Sequence, residues 1–120
     1  MSRSRTRAEK AGRHGETLAV FYLWLTGWRV LARRVRSARG EIDIVARRGN
    51  TLCFVEVKWR AAARELDRAI TPANLRRIAA AAQAVGPRFA RAADTQRIDV
   101  VLVAPGRWPR RLVNVWQPGA

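Results

Sequence analysis

Two strand-like segments joined by a tight turn constrain the fold of this chain more than any other feature of its sequence. The segments cover residues 41–46 (EIDIVA) and 52–59 (LCFVEVKW), and the pair Gly49-Asn50 lies between them. Gly and Asn both tolerate a positive φ angle, so this pair favours a two-residue hairpin loop. The sequence therefore predicts an antiparallel hairpin in the middle of the chain.

The register of this hairpin brings three charged side chains onto one face. If Arg48 lies opposite Thr51 across the turn, then Asp43 lies opposite Glu56. Lys58 follows Glu56 by two positions, and because side chains alternate along a strand, it shares that face. Two carboxylates directly across a strand pair repel each other unless a cation or a shared proton lies between them.

The same register makes two further predictions. It places Glu41 opposite Lys58 and Ile42 opposite Val57, which leaves a consistent apolar surface on the other face. A slip of one residue would put the two carboxylates on opposite faces and would mix polar and apolar residues throughout.

This group of charges fits metal-dependent hydrolysis of a phosphodiester. Mg²⁺ or Mn²⁺ would neutralise Asp43 and Glu56 through oxygen ligands, and it would lower the pKa of an attacking water. Lys58 would position that water or stabilise the charge that grows on the phosphate. The alternative is a surface cluster of cross-strand salt bridges that holds no metal.

The charge of the chain indicates the class of partner. The sequence has 24 basic against 9 acidic residues, a formal net charge of +15. Such an excess favours an anionic partner, with nucleic acid ahead of an acidic membrane surface or a ribosome. The longest apolar run, residues 18–28, is well short of the roughly 20 residues that a membrane-spanning helix needs. The single cysteine excludes a disulfide framework and suits the cytoplasm.

The elements follow in a mixed α/β order. We predict a basic N-terminal arm or fraying first turn over residues 1–12, followed by one domain over residues 13–120. The predicted elements are a helix from His14 to Leu25, a strand over 28–35, the hairpin, a charged loop or short helix over 60–70, a helix between Thr71-Pro72 and Gly86-Pro87, and strands over 97–103 and 111–116. The expected order is α-β-β-β-α-β-β.

The motifs resemble a known family. The spacing of Asp43 from Glu56-Val57-Lys58 resembles the signature of the PD-(D/E)XK nucleases. More narrowly, the chain is similar to the bacterial YraN-type family of predicted endonucleases through GETLAVFYLWLTGWRVL, GEIDIVARRGNTLCFVEVK, AITP and RIDVV. That family is itself similar to archaeal Holliday junction resolvases. The resemblance covers residues 15–104 and implies a restriction-endonuclease-like core.

The resemblance also implies roles for individual residues. Asp43 and Glu56 would be metal ligands, the Val57 carbonyl a third ligand and Lys58 the catalytic lysine. Glu16 matches a helix glutamate that joins the metal site in the resolvases. From the residues alone, Glu16 is equally well explained as an acid in a first helical turn, where the helix dipole favours it.

The sequence departs from the family pattern at two places. Ile42 stands where the larger superfamily has its proline. Asn74-Leu75 follows Thr71-Pro72 where a basic residue and a glutamine are expected. The second departure predicts a weaker polar contribution of the second helix to the site.

Further residues have both a functional and a structural interpretation. Six arginines are candidates for gripping phosphates or for a solvated surface: Arg33, Arg34, Arg36, Arg39, Arg76 and Arg77. Trp59 would stack on a base or pack in the core, and Trp24 and Trp108 would lie in the core or at a subunit interface. For Asp99 we expect pairing with an arginine, ahead of a role in the acidic site.

The sequence thus predicts a metal-dependent endonuclease that acts on DNA, including branched or flapped structures. One alternative is a nucleic-acid-binding module of the same fold that does not cleave. Another is a basic scaffold associated with the ribosome or with nucleic acid. We expect no membrane partner, and a homodimer is an alternative to a monomer.

Overall fold

The computed structural model describes the backbone of residues 3–116 and the side chains of residues 13–115 other than Asp67. Over this range the main elements are α1 (Arg3–Leu25), β1 (Arg29–Ser37), β2 (Gly40–Arg48), β3 (Thr51–Trp59), α2 (Pro72–Val85), β4 (Thr95–Val103) and β5 (Arg110–Trp116). Two short 3₁₀ helices cover Ala63–Arg68 and Gly86–Arg88. The predicted order of helices and strands is confirmed. Within this range no helix combines the length and the hydropathy that crossing a bilayer requires.

The strands form one mixed sheet in the spatial order β1-β2-β3-β4-β5. The pairs β1–β2, β2–β3 and β4–β5 are antiparallel, whereas β3–β4 is parallel. A parallel pair cannot be joined by a tight turn, so the chain needs a crossover between β3 and β4, and α2 lies in it. This is the mixed fold that the sequence predicts.

The helix ends follow local signals in the sequence. Gly27, with φ of +90°, follows α1, and the Trp28 N–H turns back to donate to the Leu23 carbonyl at 2.9 Å. Thr71 caps α2, because its hydroxyl accepts the Asn74 N–H at 3.2 Å. The start of α1 differs from the prediction. The helix begins at Arg3 rather than near His14, so the backbone of residues 3–12 is helical, and residues 1–2 lie outside the described range.

Each face of the sheet carries an apolar layer. The layer between α1 and the sheet contains Leu23 of the helix together with Trp28, Ile44, Val55 and Val101. The layer between α2 and the sheet contains Ile78 and Val85 of the helix together with Val45, Leu52 and Phe54. Because both faces are covered, a charged side chain within the sheet is removed from water and needs a partner.

Candidate active site

The site is centred where β2 and β3 separate. Backbone pairing follows the predicted register from the turn as far as the pair Ile44–Val55. Beyond that pair, Asp43 Oδ2 accepts a hydrogen bond from the Val57 N–H at 2.8 Å. A side-chain carboxylate has replaced a backbone acceptor, which fixes the position of Asp43 beside β3.

The backbone ladder ends at Ile44–Val55, although the side chains of Asp43 and Glu56 still lie close enough for the charge of Glu56 to act on Asp43. The predicted pairing of Glu41 with Lys58 is wrong. In a regular ladder the Val57 N–H would donate to a backbone carbonyl of β2, but the carboxylate of Asp43 takes this donor instead. Glu41 lies opposite Arg36 on β1, with 3.4 Å between its Oε2 and the arginine Nε.

Glu56 and Lys58 share the face of β3 that α2 covers, as predicted. Lys58 Nζ lies 3.4 Å from Glu56 Oε1, and both side chains are largely buried. Burial raises the pKa of Glu56, and the positive charges of Lys58 and Arg77 oppose that rise. Arg77 is oriented by Asn74, whose Oδ1 accepts its Nη2–H at 2.9 Å. The second helix thus brings a charge to the site, although it lacks the expected basic-plus-glutamine pair.

Asp43 is the most perturbed acid of the group. Burial is the main cause that raises its pKa from 3.8 to about 7, and the negative charge of Glu56 is the next. Glu16 and Glu41 raise this pKa further, whereas the Val57 N–H lowers it. The protein therefore neutralises the Asp43–Glu56 pair incompletely, which is characteristic of sites that bind a cation or share a proton.

Glu16 lies on α1 and is held by two arginines. Arg33 Nε donates to Oε1 at 2.9 Å and Arg34 Nε donates to Oε2 at 3.1 Å. The positive φ of 51° at Arg34 interrupts the alternation of β1, so two successive side chains reach the same helix. The first-turn explanation of Glu16 is wrong, since α1 begins at Arg3. Its ligand role stays a prediction, but its charge reaches Asp43.

A close contact between α1 and β3 holds the turn of α1 that carries Glu16 against the sheet. Gly15 is buried against Trp59, and a Cβ atom on Gly15 would lie 3.2 Å from the Trp59 Cβ. Trp59 is therefore packed under the helix, which confirms the structural interpretation of this tryptophan.

The six candidate arginines have different environments. Arg33 and Arg34 hold Glu16, Arg36 pairs with Glu41, Arg77 lies near Glu56, and Arg39 and Arg76 are exposed. Their contact with nucleic acid stays a prediction.

Asp99 belongs to a separate buried cluster. Arg97 donates to both of its oxygens at 3.1 Å, and the Asn114 N–H donates to Oδ1 at 2.9 Å. Arg111 Nε lies 3.7 Å from Oδ2. The predicted pairing with an arginine is confirmed. Asp99 is the parallel-strand neighbour of Val55 and lies on the α1 face, so it does not extend the site of Glu56.

The protein donors at the site suit a hard cation. Among the side chains that the structure describes, no three Asp, Glu, His or Cys residues are grouped to hold a metal ion. The available donors are the carboxylates of Asp43 and Glu56, with the Val57 carbonyl as the predicted third. Oxygen donors of this kind fit Mg²⁺ or Mn²⁺, since these ions are commonly bound through one or two carboxylates and keep several waters.

Comparison with known proteins places the chain in a family. Residues 15–103 match a family described as "Uncharacterised protein family UPF0102". The chain belongs to UPF0102. This is the YraN-type family that the sequence motifs resemble.

Relatives within UPF0102 match nearly the whole chain. A UPF0102 protein of Sphingopyxis alaskensis is 56% identical over 115 residues, which cover 96% of this chain and 99% of the relative. Those of Rhizorhabdus wittichii and Erythrobacter litoralis are 52% and 51% identical, covering 93% and 92% of this chain and 95% and 96% of the relatives. The names of these three relatives state no activity.

Two features of this UPF0102 site were missed by sequence reasoning. The first is the pair Asn74–Arg77, which the i, i+3 spacing on a helix could have revealed. The second is the pair of arginines on Glu16, which depends on the backbone turn at Arg34 and has no local sequence signal.

Proposed function

We propose that this UPF0102 protein is a metal-dependent endonuclease that hydrolyses phosphodiester bonds in DNA. One observation carries the proposal. The carboxylates of Asp43 and Glu56 meet where β2 and β3 separate, and Lys58 Nζ lies 3.4 Å from Glu56. The resemblance of Asp43 and Glu56-Val57-Lys58 to the PD-(D/E)XK signature supports the same reaction.

Each residue has a distinct role in this proposal. Asp43, Glu56 and the Val57 carbonyl would hold Mg²⁺ or Mn²⁺, which when bound supplies positive charge against the scissile phosphate. The Val57 N–H keeps the Asp43 carboxylate in one orientation before substrate arrives. Lys58 donates hydrogen bonds to a phosphate oxygen or to the attacking water, in a site where burial strengthens such interactions.

The charge of the whole chain supports nucleic acid as the substrate. A net charge of +15 attracts a phosphate backbone over a long distance, and Arg76 is exposed on the helix that carries Arg77. Arg77 reaches the site itself and would contact a phosphate beside the scissile one. Branched or flapped DNA is proposed from the similarity of the family to the Holliday junction resolvases.

A second candidate is a nucleic-acid-binding module of the same fold that does not cleave. The environment of Glu16 favours it, because Arg33 and Arg34 occupy one oxygen each of this carboxylate. A glutamate neutralised in this way is a poor additional metal ligand. In this candidate, Glu56 and Lys58 form a structural ion pair.

Cleavage assays separate the two candidates. The substrates are duplex, junction, flap and RNA oligonucleotides, each with Mn²⁺ and with Mg²⁺. We expect the wild-type protein to cut at least one substrate, and Glu56→Ala to lose at least about a hundredfold in rate while it keeps binding DNA. Glu41→Ala is the matched control, since Glu41 is an exposed acid that pairs with Arg36.

The opposite result would favour the second candidate. If no substrate is cut faster by the wild type than by Glu56→Ala, while both bind nucleic acid equally, the cleaving function is wrong. Equal loss of cleavage in the Glu41 control would show that any lost acid on this sheet matters, and the assignment of Glu56 would fail.

A further inference from the structure

The C-terminal part of α1, residues 18–25, is apolar on two sides, and the sheet covers only one of them. Ala19 and Leu23 face the sheet and are buried. On the outer side, Leu18, Phe21, Trp24 and Leu25 are 37%, 59%, 68% and 59% exposed. A helix that is apolar all round is usually buried on every side. The outer side of α1 therefore has the character of a contact surface.

The loop before β5 enlarges this surface. On a helix with 100° per residue, Tyr22 follows Leu18 around the axis, on the side away from Trp24. The Tyr22 ring meets the ring of Trp108 edge to face, with 6.0 Å between centroids, and Trp108 is 69% exposed. We name the five exposed side chains the α1 apolar face: Leu18, Phe21, Trp24, Leu25 and Trp108.

The area of the α1 apolar face lies at the upper end of what a monomer exposes in one patch. With about 200 Å² for a fully exposed large side chain, the five leave on the order of 600 Å² exposed. The largest apolar patch on an ordinary monomer covers about 300–600 Å². Two copies in contact would bury on the order of 1,200 Å², which reaches the range of specific protein interfaces.

The face also has a shape that can complement itself. Beside Trp24 a groove of about 330 Å³ runs between α1 and β1, and it is lined by Val20, Phe21, Trp24, Arg29 and Val30. The same surface thus offers a projecting indole and an apolar hollow next to it. In a two-fold contact each partner uses the same patch, so each Trp24 would face the groove of the other copy.

The distribution of charge argues against two other occupants of this face, a nucleic-acid strand and an acidic protein. Among the side chains that the structure describes, Arg29 is the one charged residue that lines the groove. A single strand of nucleic acid needs a basic track beside its stacking aromatics. An acidic protein would be drawn to the arginine-rich surfaces instead, because the chain carries +15.

We infer that the α1 apolar face joins two copies of this chain in a two-fold dimer. Glu16 and Gly15 lie on the side of α1 that faces β1 and β3. The contact therefore leaves the Asp43–Glu56 site open in both copies. The inference is independent of the proposed reaction, since the dimer forms whether or not the site cleaves DNA.

Salt affects this contact and nucleic-acid binding in opposite directions. Two copies of +15 repel each other, and added salt screens that repulsion, so the dimer becomes tighter. Binding to a phosphate backbone becomes weaker with salt, because releasing counterions from the backbone gains less entropy when the surrounding salt is more concentrated. The sign of the salt effect thus distinguishes a dimer from association through bound nucleic acid.

Sedimentation of the full chain over a range of protein concentrations tests the inference. We expect a monomer–dimer equilibrium that shifts toward the dimer at high salt. The double variant Phe21→Ser, Trp24→Ser should raise the Kd of the dimer at least about tenfold, since central aromatic residues dominate such contacts. Val113→Ser is the matched control, because Val113 is an exposed apolar residue on β5 outside the face.

A crosslinking variant keeps the test independent of any loss of folding in the double variant. Cys53 is the one cysteine of the chain and is buried, so a cysteine introduced at the surface is the reactive one. Phe21→Cys should form a disulfide-linked dimer under mild oxidation, and Val113→Cys should not. A wild-type protein that stays monomeric at low and high salt would overturn the inference. Equal crosslinking of both cysteine variants would also overturn it. So would a double variant, Phe21→Ser with Trp24→Ser, that binds DNA more weakly but dimerises as well as the wild type.

Discussion

Two buried acidic groups on the same sheet, Asp99 and the Asp43–Glu56 pair, have opposite electrostatic surroundings. Asp99 is fully buried, but two arginines and a backbone N–H face its oxygens. Asp43 has one backbone N–H and faces a second carboxylate, so its pKa is raised by burial and by Glu56 to about 7. Burial of an acid is thus a poor sign of function. Incomplete neutralisation is the better sign.

The surroundings of Asp99 explain why it is structural. Trp28 packs beside it with three guanidinium groups over its ring, those of Arg48, Arg97 and Arg111, at 4.5, 5.0 and 5.4 Å. These contacts stabilise cations against an aromatic face. Asp99 supplies the negative charge that holds Arg97 and Arg111 together, and these two cations balance its charge without a metal.

The largest effect is expected from Asp99→Asn. The amide keeps the shape and can still accept the Asn114 N–H, but it leaves Arg97 and Arg111 without a counter-charge in a buried setting. Breaking a buried ion pair in this way should lower the free energy of unfolding by about 3 kcal/mol. Urea denaturation measures it. A loss below about 1 kcal/mol would mean that Asp99 is dispensable for the fold. The contrast between a structural Asp99 and a functional Asp43–Glu56 pair would then fail.

The same substitution at Asp43 should have the opposite sign. In the folded state Asp43 holds its proton up to about pH 7, whereas the unfolded chain releases it near 3.8. The folded state therefore binds more protons in this window, and the wild type loses stability as the pH rises from about 4 to 7. Asp43→Asn removes this loss and still accepts from Val57.

The full shift would correspond to about 4 kcal/mol, but Asp43 is only partly buried and water screens part of its interactions. The expected gain of Asp43→Asn is therefore about 2 kcal/mol in the free energy of unfolding at pH 8 relative to pH 4. The measurement is urea denaturation at several pH values with a chelator present, beside Glu65→Gln as the control, since Glu65 is an exposed acid of the first 3₁₀ helix. A variant that is destabilised equally at all pH values would show that Asp43 is a structural acid like Asp99.

A smaller effect is expected from Glu16→Gln. Arg33 and Arg34 are each about two-fifths exposed, so water can solvate them once the carboxylate is removed. The loss of stability should be about 1 kcal/mol. Because the charge of Glu16 raises the pKa of Asp43, that pKa should fall in the variant. The measurement is an NMR titration that follows the carboxyl carbon of Asp43. An Asp43 pKa that is the same in Glu16→Gln and in the wild type would contradict the proximity of the two acids.

The register of the hairpin could be predicted because local chemistry determines it. The Gly49-Asn50 turn and the alternation of apolar residues lead directly to the pair Ile44–Val55. The end of the ladder could not be predicted, because it depends on competition for the Val57 N–H between a backbone carbonyl and the Asp43 carboxylate. Which of the two acceptors takes the Val57 N–H depends on how far β2 and β3 move apart beyond Ile44–Val55, and the sequence does not show that distance.

Side chains that come from distant elements were the least predictable part of the site. The pairing of Asp99 with Arg97 could be expected, since residues two apart on a strand share a face. The contact of Glu16 with Arg33 and Arg34 could not, because it depends on how α1 crosses the sheet and on the positive φ at Arg34.

Calorimetric titration of Mn²⁺ into the protein tests the central claim most directly, namely that the Asp43–Glu56 pair is a cation site. The wild type should bind one ion, and Glu65→Gln, which changes an exposed acid of the first 3₁₀ helix, should bind it equally. Glu56→Gln should weaken binding at least about tenfold, since it removes one of the two carboxylates. A wild type that binds no Mn²⁺, or a Glu56→Gln variant that binds as tightly as the wild type, would contradict the claim.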